Sequence, residues 1–365
     1  MTNIKPLPLE GVRVLDIASL YAAPFAATLL GDFGAEVIKV EPPEGDGFRG
    51  TGMWGLVGRN KKSVTLDLRS PDGCENLLRL VETADVVVQN FPREVLERRG
   101  LGWDAMSARN PRLIMVSVSC FGQDGPYAGR PGSGTIGEGF GGLTALTGRP
   151  NDVPMLSSVA LGDAIGAMSA AMGTMAALYW RDVRGGTGQE IDVSLYEPIL
   201  MAISGACAQW SPGNSPGRLG GRLGSGIRNS YRTGDGEHVV ISASTQRHAA
   251  DMAALVGAEP DTDPDAAVAR WIARHTLAEV LDILTARRLP VATVNHIDDL
   301  LSDPQVIARG SLIRTEVEGR PAVIPSPQPK LSKSPGTIRT LGAALGAHNA
   351  EVLGGLEQAI ARAAS

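Results

Sequence analysis

Short apolar runs alternate with longer amphipathic stretches through the first third of the chain. Residues 12–17, 36–41, 63–68, 85–88 and 113–118 each read as a strand, because Val, Ile and Leu dominate them and turn residues bound them. Helical periodicity fills the intervals at 24–33, with Pro24 in the first turn, at 71–82 and at 94–99. Nearly continuous apolar strands alternating with helices predict an α/β fold, a Rossmann-like parallel sheet covered on both faces. The dinucleotide fingerprint is missing, since the first strand is followed by Ala18-Ser19-Leu20-Tyr21-Ala22-Ala23-Pro24, without glycines to admit a pyrophosphate. GxGxxG strings at 132–137 and 137–142 follow no strand, in a stretch where chance produces them. A nicotinamide oxidoreductase is therefore the least favoured reading.

The pattern changes at Gly122. Residues 122–148 are glycine-rich and predict loop and close backbone packing. A second glycine cluster at 213–226 carries Arg218 and Arg222, with Arg228 just beyond, and reads as a boundary or lid. Further on, 237–242 reads as a strand, 270–286 as one helix, 310–334 as a Pro-rich extended segment and 349–364 as a helix.

Charge and composition narrow the function. Lys and Arg number 34 against 39 Asp and Glu, a net charge of −5, which argues against a nucleic-acid partner. Apolar residues make up 43% of the 365, enough to build large cores. Cys74, Cys120 and Cys207 are too scattered for a disulfide framework. All five histidines (His238, His248, His275, His296 and His348) are late in the chain and unpaired in spacing, so no metal-site signature exists. The start lacks a basic segment followed by an apolar one, and the uncharged runs 164–180 and 198–217 are too mild or too polar to span a bilayer. A cytoplasmic protein with no membrane partner is expected.

One carboxylate stands apart. Between Asp152 and Arg181 the only charged residue is Asp163, ahead of a helix-compatible run in which Gly166, Ala170, Gly173 and Ala177 form a narrow stripe. It reads equally as an N-cap and as a nucleophile held ionised by backbone donors, and the two roles are compatible.

At this point a resemblance emerges. Residues 8–16 through Pro24, 34–41, 60–68, 84–91, 122–127, Gly162-Asp163, 188–193, 229–233, 303–305 and 335–336 together resemble class III CoA-transferases of the CaiB/BaiF type, such as formyl-CoA transferase and carnitine CoA-transferase. The likeness runs through essentially the whole chain, in the family's order.

The resemblance implies an enzyme that moves CoA from an acyl-CoA donor to a small carboxylic acid, with CoA as substrate and no metal or tightly bound cofactor. It implies Asp163 as the nucleophile, forming first a mixed anhydride and then an aspartyl-CoA thioester. It carries CoA contacts onto Leu20, Tyr21, Ala22, Arg69, Asn90, Phe91 and Arg98. Ser133 and Gly134, with a glycine loop at Gly224, Ser225 and Gly226, fall beside the reacting centre. Arg218, Arg222 and Arg228 near that loop point toward a dicarboxylate acceptor. The resemblance also implies a homodimer of interlocked open rings, with a large domain at 1–205 completed by 318–365 and a small α+β domain at 206–317.

Two other readings compete. An α-methylacyl-CoA racemase shares the Asp but pairs it with a His where this chain has Ser133, whose hydroxyl is a poor base for an α-proton. A non-catalytic acyl-CoA-binding protein would use Asp163 only as a cap.

Overall fold

In the computed structural model, residues 7–222, 226–258 and 263–355 are described. They divide into two compact units, one from residues of 1–143, 156–208 and 310–365, the other from 144–155 and 209–309.

The larger unit is built on six parallel strands: β1 (Arg13–Asp16), β2 (Glu36–Glu41), β3 (Lys61–Thr65), β4 (Val86–Gln89), β5 (Ile114–Ser119) and β6 (Gln189–Ser194). Their order, β3-β2-β1-β4-β5-β6, is that of a doubly wound α/β sheet. Successive side chains leave opposite faces of each strand. Val14, Val37, Val86 and Val116 therefore pack against helices Ala22–Asp32 and Leu161–Val183. Leu15, Ile38, Val87 and Met115 pack on the other face with Leu77, Leu80, Leu96 and Met106. Five strands and their covering helices match the apolar pattern.

The third strand begins earlier than its hydrophobic pattern predicts. Lys61 opens β3 fully buried, its ammonium donating to Asp16 at 2.7 Å and to the Pro24 carbonyl at 2.6 Å. Burial lowers its pKa to about 8 against the pull of Asp16. Lys39 donates to the Ala18 carbonyl, and its ammonium is 3.0 Å from Asp46. Buried ions require such complete pairing. The network ties the segment after β1 to β2 and β3.

The glycine-rich stretch, expected as loop, contains two helices, Gly134–Phe140 and Leu143–Leu146. Its glycines do serve close packing. A Cβ on Gly137 would meet the Leu195 carbonyl oxygen at 2.9 Å. The segment from 310 is not merely extended. It forms a hairpin of β10 (Leu312–Val317) and β11 (Arg320–Pro325), preceded in the chain by three strands of the smaller unit, β7 (Ile227–Arg232), β8 (His238–Ala243) and β9 (Val291–Thr293). Its two-residue turn has φ of 49° at Glu318 and 78° at Gly319, the left-handed pair a tight hairpin demands.

The smaller unit is α+β, its antiparallel sheet ordered β7-β8-β9. Ile227, Val239 and Ile241 pack with Met252, Val268 and Val280 from its helices. The single helix expected at 270–286 is two, Pro264–Ile272 and Leu277–Ala286. Thr276 and Glu279 form a capping box that starts the second, which periodicity alone does not reveal. The units also depart from 1–205 and 206–317. Residues 144–155 join the smaller unit, where Arg218 donates to the carbonyls of Ala145, Arg149 and Asp152. The larger unit resumes at 310, because β10 pairs with β11.

Helix Leu161–Val183 is long and apolar enough to cross a membrane by length and composition. One face of it is buried in the larger unit's core, and it carries Asp163, Arg181 and Asp182.

Candidate active site

Strand order reverses at β1 and β4, and the carboxyl ends of such neighbours flank a crevice. Here the two ends are joined side chain to backbone. Asn90 accepts from the Ser19 amide at 3.0 Å and donates to the Ser19 carbonyl at 2.9 Å. Leu20 follows with φ of 64°, a left-handed conformation unfavourable for a leucine, and leaves its side chain exposed. The lysine network fixes both flanks of this turn, since it holds the carbonyls of Ala18 and Pro24.

A cavity of about 280 Å³ opens there. Leu20, Tyr21, Ala22, Asn90, Phe91, Ser133 and Asp163 all line it, so seven of the expected site residues meet in one place. Arg93, Glu94, Cys120, Arg130 and Leu195 also line it, with the Arg130 guanidinium 3.7 Å from the Tyr127 ring centroid. No histidine lines it. A second cavity of about 250 Å³ shares Phe91 with the first and is lined by Arg69 and Arg99. Arg69 reaches it paired to Asp67 at 2.7 Å and Glu44 at 3.3 Å. Arg98 is exposed and lines neither, whereas its neighbour Arg99 lies over the Phe91 ring at 5.8 Å.

Asp163 is not the N-cap. Ala160 occupies that position without a side-chain bond, and Asp163 sits inside the first turn of Leu161–Val183. Its carboxylate instead accepts a hydrogen bond from the Gly134 amide at the start of the neighbouring helix. Gly134 is required by contact, since a Cβ there would stand 2.1 Å from Asp163 Oδ2. Burial raises the Asp163 pKa, the Glu138 charge adds to the rise, and the Gly134 bond opposes it. Tyr21 is raised by burial and then by Asp163, and the Cys120 thiol is raised by burial and by Asp163 against an opposing hydrogen bond from the Ser133 backbone.

The cap is Glu138, which the apolar pattern does not mark. Its Oε1 accepts from the Gly162 amide at 2.9 Å, and its Oε2 is 2.5 Å from Ser157 Oγ. The available signal was a lone acid among the glycines of 132–142.

Of the glycine loop, Gly224 and Ser225 lie outside the described residues. Gly226, in the smaller unit, has φ of 99° just before β7. Arg218 is engaged by three carbonyls and Arg222 by Asp263 at 3.2 Å, so the motive they offered for a dicarboxylate weakens.

Comparison with known proteins gives a consistent set. Residues 9–349 match the model of CoA-transferase family III. The succinyl-CoA–D-citramalate CoA-transferase of Chloroflexus aurantiacus is 37% identical, over 95% of this chain and 93% of its own. The succinate–glutarate CoA-transferase of Agrobacterium fabrum is 32% identical, over 98% and 97%. The crystal structure of a CaiB/BaiF family protein from Brucella suis superposes with a TM-score of 0.84 at 28% identity, over 96% of this chain and 100% of that one.

Proposed function

The chain belongs to CoA-transferase family III, and from that premise we propose that this transferase moves CoA from succinyl-CoA to a short dicarboxylic acid, with Asp163 as covalent nucleophile. The observation that carries the reading is the half-buried Asp163 carboxylate, bonded by one backbone amide and facing a cavity at the sheet's reversal point. The names of the relatives support the substrate class, since they pair succinyl-CoA or succinate with citramalate and glutarate.

The chemistry is four exchanges at three carbonyl carbons: those of the donor acyl group, Asp163 and the acceptor. An Asp163 oxygen attacks the donor thioester carbon, forming a C–O bond, breaking C–S and releasing CoA as thiolate. The thiolate attacks Cγ of Asp163, forming the aspartyl-CoA thioester and expelling the donor acid as carboxylate. The acceptor carboxylate then attacks Cγ and frees the thiolate again. Attack of the thiolate on the acceptor acyl carbon gives the new acyl-CoA and restores the Asp163 carboxylate. No proton moves in any step, which suits a site without a histidine base.

The first cavity has the position to hold the pantetheine arm, and the second the nucleotide end, where Arg69 and Arg99 meet phosphate charge. Metabolic acyl-CoA donors make a cytoplasmic location part of the same proposal. A homodimer belongs to it as well. Met168, Met172, Met175, Tyr179 and Trp180 form one helix face and are 47–65% exposed, an apolar strip of the kind a second copy covers. Light scattering in solution tests that part.

Exchange assays with a panel of donors and acceptors, read as CoA products by mass spectrometry, test the reaction. Asp163→Ala is expected to lose on the order of a thousandfold or more in kcat. Full exchange activity in that variant would refute the mechanism.

A further inference from the structure

Two carboxylates flank one crossing of helices in the larger unit, and only one of them has a part in the exchange chemistry. The helices Gly134–Phe140 and Leu161–Val183 approach through glycines: a Cβ on Gly162 would stand 2.6 Å from the Gly134 carbonyl oxygen and 3.2 Å from Glu138 Cγ. Glu138 lies four residues after Gly134, on the same helical face. It is 2% exposed and holds the Gly162 amide, the residue immediately before Asp163. Its other oxygen meets Ser157 Oγ, which also reaches the Val159 carbonyl at 2.7 Å. Glu138 is thus locked, while Asp163 has one amide donor and turns toward the cavity.

We propose that Glu138 is a positioning residue for Asp163, and that its fixed negative charge favours the acylated enzyme. The inference rests on Asp163 being the nucleophile. In the resting state two like charges share the crossing. When Asp163 becomes a neutral anhydride or thioester, one charge leaves and the repulsion ends, so the covalent state is favoured over the free carboxylate. The same charge makes Asp163 a more basic and more reactive nucleophile, consistent with the contribution of Glu138 to its raised pKa. Of the other titratable groups lining the Asp163 cavity, Tyr21 and Cys120 are both raised and remain uncharged near neutrality. Arg93, Glu94 and Arg130 are not among the causes of the Asp163 shift, so none of these groups offsets Glu138.

A cap without an electrostatic role makes a different prediction. Glu138→Gln keeps an oxygen for the Gly162 amide and removes only the charge. We expect Glu138→Gln to shift the acid limb of kcat/KM to lower pH. It should also reduce the steady-state aspartyl-CoA thioester roughly five- to tenfold. Glu138→Met is a second neutral replacement should the amide fail to fold. An unmoved acid limb and an unchanged thioester fraction, in whichever variant keeps the parent melting temperature, overturn the inference. Hydroxylamine trapping on the parent enzyme separates the two levels. A missing Asp163 hydroxamate sinks the nucleophile itself, whereas a hydroxamate with an indifferent neutral variant sinks only the role of Glu138.

Discussion

Gly134→Ala is a demanding probe of the site because it adds one methyl group and removes nothing. The new Cβ would stand 2.1 Å from Asp163 Oδ2, 2.5 Å from its Cγ and 2.7 Å from its backbone nitrogen. Comfortable contacts begin near 3.5 Å, so the carboxylate must retreat by about 1.4 Å or the helices must part. Overpacking of this kind costs about 1–3 kcal/mol. Alanine returns up to about 1 kcal/mol, because glycine is a poor helix former. The net loss of stability is therefore about 2 kcal/mol or less, a melting shift of a few degrees. Catalysis is far less tolerant, since a displacement of about 1 Å can reduce a rate 10²-fold. We expect kcat for CoA exchange to fall about a hundredfold while thermal melting moves little. Gly139→Ala is the control, as nothing lies within 4 Å of a Cβ there. If Gly134→Ala exchanges CoA at the parent rate, Asp163 is not held by this contact and the site geometry argued above is wrong.

The raised pKa of Asp163, caused first by burial and then by Glu138, means that the folded protein keeps its proton to higher pH than an exposed aspartate. Activity is therefore lost as pH falls through that raised value, and the acid limb of a kcat/KM profile should lie above ~4; a limb at or below it contradicts this environment. Lys61→Met leaves Asp16 facing Lys39 alone at 3.6 Å, and equilibrium urea unfolding should show a loss of about 3 kcal/mol, with no loss meaning that the network contributes nothing net. Arg99→Ala should raise KM for the acyl-CoA donor about tenfold with kcat little changed, whereas Arg98→Ala should leave both near the parent values; the reverse pattern would return the contact to Arg98.

Much of this molecule is legible in its sequence, for identifiable reasons. The strands of the parallel sheet are buried on both faces, so Val86-Val87-Val88 and Ile114-Met115-Val116 announce themselves as unbroken apolar runs. Asp163 is conspicuous because nothing else between Asp152 and Arg181 carries charge. Features that depend on partners distant in sequence are hidden. Lys61 looks like a surface residue until Asp16, 45 positions away, is seen to receive it. Glu138 looks like a stray charge in a loop until Gly162 places a bare amide above it. The break between the helices Pro264–Ile272 and Leu277–Ala286 follows from local hydrogen bonds of Thr276 and Glu279, which a hydrophobic period does not register. Arg99 replaces Arg98 beside Phe91 because one residue of helical rotation, about 100°, turns a side chain from solvent to cavity.

The central claim is that the Asp163 carboxylate becomes covalently bonded to CoA during turnover. Its most direct test is to mix the protein with succinyl-CoA, quench in acid within the first turnovers, digest, and weigh the peptide containing Asp163. The account predicts that this peptide carries the mass of CoA joined through a thioester, and that hydroxylamine converts it to a hydroxamate at the same residue. An unmodified Asp163 peptide from an enzyme that is visibly exchanging CoA would contradict it.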